Sequence, residues 1–224
     1  MPDDPDDRPG TAPCFAHELI AGQPVDAETW RDVSRFRRAE RTRLLALRKA
    51  LAQESRAKQA QTIADMLDEI VQPVPGMVIA GYWPIRSELD MRAWMTRAHE
   101  KGARVALPVV VEKGRPLEFR HWVPRCAMVR GVWNIPVPAE GAALRPDVVI
   151  SPVLGVDREG YRLGNGGGYY DRTLAALDPR PQIIGIGQDF ARLATIFPMH
   201  WDIAMDRVIL GDGTAWRRGE APAG

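Results

Sequence analysis

Five glycines fall within the nine positions of G-Y-R-L-G-N-G-G-G (160–168), and Tyr169, Tyr170, Asp171 and Arg172 follow at once. Gly164, Gly166, Gly167 and Gly168 have no Cβ, so the main chain there can adopt positive φ and be approached closely by another group. Free N–H groups ahead of a helix N-terminus make a pocket for anionic oxygen, and phosphate is the natural guest. Asp171 would sit in the first helical turn, close enough to a bound phosphate to hold a magnesium ion directly or through water. Arg162 and Arg172 add positive charge on either side. The alternative is a tight turn and a close helix–sheet contact with no ligand. The stretch is neither the G-x-x-x-x-G-K-[ST] phosphate loop nor the G-x-G-x-x-G dinucleotide fingerprint, so neither of those folds follows from it.

Other residues have the right types for the same chemistry. Arg37 and Arg41 lie four apart on a helical stretch and share a face, where two guanidinium forks can converge on a polyphosphate or merely pair with nearby acids such as Glu40. Glu88 in S-E-L-D (87–90) follows a strand end, a place where ligands of open α/β sheets gather, and equally could ease a helix dipole. Asp202 and Asp206 in H-W-D-I-A-M-D (200–206) offer a second oxygen ligand for magnesium, or serve as turn and strand-entry aspartates. Trp133, in the proline-punctuated V-W-N-I-P-V-P (132–138), can stack on a flat heterocycle or pack in the core. Cys14, His17 and Glu18 form a thiol, imidazole and carboxylate group with no second pair nearby, short of zinc-site spacing. His200 has no visible nucleophile to serve.

Elements of two kinds must position these groups. No proline or glycine interrupts residues 26–51, where apolar positions recur at helical spacing, and a second helix is expected over about 54–71, ended by P-V-P-G at 73–76. The period then changes. Strands are expected at 77–83, 104–111, 117–122, 147–153, 181–187 and in V-I-L before residue 211, with helices at 90–102 and 169–178. Such alternation predicts an α/β fold, three layers with a mostly parallel sheet covered on both faces. We expect a tail over 1–25, one domain over 26–213 and a loose C-terminal end over 214–224.

Composition narrows the class. The 224 residues suit one domain of generous size, with 45% hydrophobic and 26% charged residues, and the formal charge of +1 supplies no global basic field for nucleic acid or membrane. Cys14 and Cys126 are the only cysteines and suggest no disulfide framework. The acidic, proline-rich start is unlike a signal peptide, and no apolar run approaches the ~20 residues that span a bilayer. A cytoplasmic protein without nucleic-acid or membrane partners, a monomer or weak oligomer, is the expectation.

Six blocks taken in order carry a resemblance: R-x-x-x-R followed by R-K-A-L (48–51), G-Y-W-P with S-E-L-D (81–90), A-L-P-V-V (106–110), W-N-I-P-x-P (133–138), G-Y-R-L-G-x-G-G-G-Y-Y-D-R (160–172) and H-x-D-x-x-x-D (200–206). Over about 36–210 the chain resembles the 5-formyltetrahydrofolate cyclo-ligase (methenyltetrahydrofolate synthetase) family. The resemblance implies a fold similar to the sugar-phosphate isomerase and coenzyme A transferase group, and conversion of 5-formyltetrahydrofolate to 5,10-methenyltetrahydrofolate with ATP and Mg2+. It implies phosphorylation of the formyl oxygen, attack by N10 and loss of phosphate on ring closure. Carried over, Arg37 and Arg41 match the ATP phosphate pair. Arg162, Leu163, Gly164, Asn165, Gly166, Gly167, Gly168, Tyr169 and Tyr170 match the ATP loop, with Arg162, Tyr169 and Asp171 catalytic. Asp171 and Asp202 match the magnesium-associated acids, Glu88 the folate-contacting glutamate, and Trp133 and Tyr169 the aromatics beside the pterin. Asn165 and Gly167 stand where some members are basic, and Val156 where an aromatic is common. A paralogue that binds folate or nucleotide without turnover, or acts on another amide-like substrate, is the competing expectation.

Overall fold

The structure is a computed structural model that describes residues 17–20 and 23–220. The described chain divides at Phe36/Arg37 into two compact units, a boundary inside the first helix rather than at residue 26. In the N-terminal unit, β1 (His17–Ile20) pairs antiparallel with β2 (Gln23–Asp26), within the stretch expected to be a tail. Asp26 then accepts the Thr29 N–H at 2.7 Å, a side-chain cap that starts α1 (Ala27–Ala50). Cys14 and residues 1–16 lie outside the described residues.

In the larger unit, α1 continues to Ala50 and is followed by α2 (Gln53–Val71), whose C-cap Gln72 turns left-handed before the prolines. Then come β3 (Val78–Ala80), α3 (Arg92–Glu100), β4 (Arg104–Val109), β5 (Glu118–Trp122), β6 (Met128–Arg130), β7 (Pro136–Pro138), β8 (Val148–Pro152), β9 (Gly155–Asp157) and β10 (Arg162–Leu163). The chain finishes with α4 (Tyr169–Ala176), β11 (Gln182–Gly187), β12 (Arg192–Leu193), β13 (Arg207–Leu210) and β14 (Ala215–Arg217). A seven-stranded sheet runs β14-β13-β11-β8-β3-β4-β5, parallel except for the antiparallel outer strands β14 and β5.

Period-two alternation sets the layers. Ile79, Val105, Leu107, Val148, Ile150, Ile184 and Ile209 face a core built with α2 and α3. Ala80, Ala106, Val149, Ile183 and Val208 point the other way, to Leu174 of α4 and Trp216. This is the three-layer α/β arrangement the alternation predicts. Chain order reverses between β3 and β8, which makes their carboxyl ends the topological switch point where open α/β sheets bind ligands. A smaller sheet, β10-β9-β12, packs Leu154, Leu163 and Leu193 against Leu44 of α1. Its two- and three-residue strands are too short for a periodic signal in sequence. No helix among the described residues is long and apolar enough to cross a membrane.

Two further expectations change. Strand 77–83 stops at Ala80, because the chain leaves the sheet to form the G-Y-W-P and S-E-L-D segment. The C-terminal end is not loose over 215–217: β14 pairs with β13, Trp216 is buried, and its indole N–H donates to Arg158 O at 3.0 Å. Trp216→Phe should therefore cost about 1–2 kcal/mol, from a lost hydrogen bond and lost volume. An unchanged midpoint in denaturant unfolding would return this segment to a loose end.

Candidate functional site

Behind β10, the chain passes through the glycines to α4 as a turn held open by arginines. The Arg41 Nε–H donates to Gly164 O at 2.9 Å, and a Cβ on Gly164 would come within 2.5 Å of the Arg162 guanidinium. Gly164 is thus a close-approach glycine. Gly168 is the N-cap of α4 at φ 62° and has an arginine, Arg172, against its bare Cα, so a side chain there would be both strained and obstructed. Asn165, Gly166 and Gly167 are exposed, whereas Leu163 is buried and its carbonyl already accepts from Leu154 N–H at 3.0 Å. Leu163 therefore anchors the loop through the small core and presents no side chain to a ligand.

The charges around the loop are paired in a pattern that spacing does not reveal. Arg162 donates from Nη2 to Asp171 Oδ2 at 2.8 Å, lies 4.9 Å from the centre of the Tyr170 ring, and keeps a buried Nε–H without a partner. Asp171 Oδ1 accepts from the Ile203 N–H at 3.2 Å, which ties α4 to the 200–206 segment. The Tyr170 hydroxyl is also buried without a partner; burial pushes its pKa up, against the pull of Arg162. Two buried polar groups side by side are thus left without partners among the protein's own atoms.

Arg37 and Asp202, expected at the triphosphate and the metal respectively, are brought together as partners of each other. Their side chains are each 8% exposed, with contacts of 2.5 and 3.2 Å. Arg37 also donates to the carbonyls of Ile196 (2.9 Å) and Phe197 (2.8 Å), and Asp202 Oδ2 accepts from Met199 N–H at 2.6 Å. Arg37 is a clamp on the 196–202 segment, and Asp202 has little lone-pair capacity left for a cation. Of the pair on α1, Arg41 is the guanidinium that faces the loop; burial and the neighbouring Arg37 lower its pKa. Asp206 accepts from Arg180 and from Ile183 N–H at the start of β11, the strand-support alternative. His200 is exposed and stacks edge-on with Trp201.

Glu88 is 8% exposed and lies beyond the β3 carboxyl end, four positions before α3 begins. It is no helix-dipole carboxylate. Asp90 fills that place by accepting the Arg92 N–H at 3.0 Å. Burial raises the Glu88 pKa, opposed by the Ile85 N–H, by Arg48 and by the Asn165 side chain of the glycine loop. Trp133 is 61% exposed, has a left-handed backbone at φ 55°, and meets the Tyr169 ring edge-on at 5.3 Å. The Tyr169 hydroxyl accepts from Gly114 N–H at 3.2 Å. An exposed indole on a strained backbone is an unusual use of a large apolar side chain, and its open face can stack on a flat group.

No group of three or more His, Cys, Asp or Glu residues that could hold a metal exists among the described residues. A hard cation such as magnesium keeps several waters and takes its other ligands from substrate phosphates, so one carboxylate suffices. Asp171, with two accepted hydrogen bonds and remaining lone pairs, meets that requirement.

The sequence profile of the 5-formyltetrahydrofolate cyclo-ligase family matches residues 33–211. The chain is 32% identical over 178 residues to the 5-formyltetrahydrofolate cyclo-ligase of Mycolicibacterium smegmatis, covering 75% of this chain and 90% of that protein. It is 28% identical to the enzyme of that name from Escherichia coli, covering 72% and 93%. Among solved structures, it superposes on the 5,10-methenyltetrahydrofolate synthetase of Aquifex aeolicus with a TM-score of 0.69 and 25% identity, covering 84% and 95%. On the Mycoplasma pneumoniae synthetase the TM-score is 0.64, also at 25% identity, covering 77% and 96%.

Proposed function

Because the chain belongs to the 5-formyltetrahydrofolate cyclo-ligase family, we propose that the loop 164–170 seats the triphosphate of ATP beside a folate held at Glu88, Trp133 and Tyr169. The chain is an ATP-dependent carbon–nitrogen ligase that converts 5-formyltetrahydrofolate to 5,10-methenyltetrahydrofolate. The observation that carries the site assignment is the exposed main chain of Asn165, Gly166 and Gly167, next to a Gly164 that Arg41 and Arg162 hold from two sides.

An amide oxygen is a poor leaving group until it is esterified. The γ-phosphoryl group passes from ATP to the formyl oxygen, releasing ADP. N10 then attacks the formyl carbon and gives up its proton, and the carbon–oxygen bond breaks with loss of phosphate. Such transfers gain mostly from positioning and charge stabilisation. Arg41 and the loop amides hold the phosphates, while the free Arg162 Nε–H offers a donor where charge builds up. Glu88 accepts from the pterin N–H groups, and Trp133 and Tyr169 cover its ring. Asp171 would hold Mg2+ beside the phosphates, where the ion would supply charge neutralisation.

Purified protein given 5-formyltetrahydrofolate, ATP and magnesium should generate the absorbance of the methenyl product, and EDTA should abolish it. Binding of both ligands without product would instead identify a non-catalytic paralogue.

A further inference from the structure

Arg48 is assigned no part in the site by its spacing, yet it is among the most deeply buried side chains of the chain, at 2% exposure. Burying a guanidinium is costly unless every donor is used. Its Nη2 donates to Val153 O at 2.6 Å, just past the β8 end, and its Nε–H to Gln188 Oε1 at 3.1 Å, just past the β11 end. The remaining nitrogen, Nη1, lies 3.7 Å from Glu88 Oε1. Gln188 in turn donates from Nε2 to Ser87 O at 3.1 Å, so it grips the residue before Glu88. The other Glu88 oxygen accepts from Ile85 N–H at 3.0 Å. Arg48 is therefore braced by the ends of β8 and β11, beside the switch point, and presents its third corner to one carboxylate at ion-pair distance.

We infer that Arg48, braced by Gln188 and Val153, is the positioning residue that holds Glu88 ionised and aimed for the folate, acting through Glu88 and not on the substrate. This rests on the proposed role of Glu88. Without a positive partner a carboxylate buried this deeply takes up a proton and can no longer accept from a ring N–H. The other groups facing Glu88 do not replace Arg48. Arg86 is exposed, Tyr82 and Tyr170 are phenols whose pKa burial raises, Asn165 is neutral, and Arg56, Asp90 and Arg97, which line the same pocket as Glu88, are engaged with Leu51 O, Arg92 and Asp68. Arg86 supplies charge from the solvent side only, where water screens it.

The sign follows from the form that binds. The carboxylate binds, so affinity falls as pH drops through the Glu88 pKa. Removing Arg48 raises that pKa, so the fall begins at higher pH. Arg48→Met should shift the acid limb of kcat/KM for 5-formyltetrahydrofolate upward by about one to two pH units. Binding of ATP, followed separately by calorimetry, should stay within a few-fold of wild type. Arg48→Lys keeps the charge but loses the braces, so the limb should stay near the wild-type position while KM for the folate rises. If Arg48→Met does not fold, Arg48→Lys decides: unchanged folate KM, with ATP binding and melting temperature intact, overturns the inference. A folded Arg48→Met with an unmoved limb overturns it equally, as does a uniform loss of activity that tracks lost folded protein. If the wild-type protein itself makes no methenyl product, the reading of Glu88 as a folate contact fails first, which separates the two failures.

Discussion

Asp171→Asn should lower kcat by about 10²–10³-fold while KM for ATP changes much less. The change is nearly isosteric, so the loop and α4 keep their shape. It removes the negative charge that pairs with Arg162 at 2.8 Å and the carboxylate through which a cation on the phosphates would be held. Both losses act where charge builds up in phosphoryl transfer, not on the nucleotide at rest, so the effect belongs in kcat. Initial rates from methenyl absorbance, at saturating ATP and folate, measure it. Wild-type kcat in the variant would remove Asp171 from the mechanism. Because the Arg162 and Asp171 side chains are 7% and 14% exposed, the melting temperature must be recorded alongside, to separate a local charge effect from loss of folded protein.

Arg37→Met or Asp202→Leu alone should destabilise the protein by about 3–5 kcal/mol, since each leaves an uncompensated buried charge. For a chain of this size the melting temperature should fall by roughly 6–20 °C. The double variant should recover much of the loss, because an apolar pair removes the orphaned charge as well as the ion pair. The double-mutant cycle decides between two roles. If Arg37 were only a phosphate ligand, Arg37→Met would raise KM for ATP and leave the melting temperature alone. Its bonds to Ile196 and Phe197 carbonyls predict the opposite order of effects: stability first, then activity through the displaced 196–202 segment.

Features set by neighbours in the chain were legible in sequence. Helices α1 and α2 start and end within a residue or two of their periodic patterns, because apolar spacing, a capping aspartate and proline runs act over one or two turns. The strand–helix alternation predicted the parallel sheet, and the glycine run located the loop ahead of α4. The short strands β9, β10 and β12 were invisible, since two or three residues show no period and their pairing partners lie elsewhere in the chain.

The sequence by itself determined the order of the layers, the glycine loop with its carboxylate in the first turn of a helix, and the family to which these motifs belong. Tertiary structure alone decided how the charges are shared. Arg37 meets Asp202 across 165 positions and Arg48 meets Gln188 across 140, contacts whose chain separation no local pattern encodes. An arginine on a helix reads the same whether it faces water, a phosphate or a buried carboxylate. Which of these it meets depends on what the fold packs against it, and on desolvation that forces a buried charge to find a partner within reach.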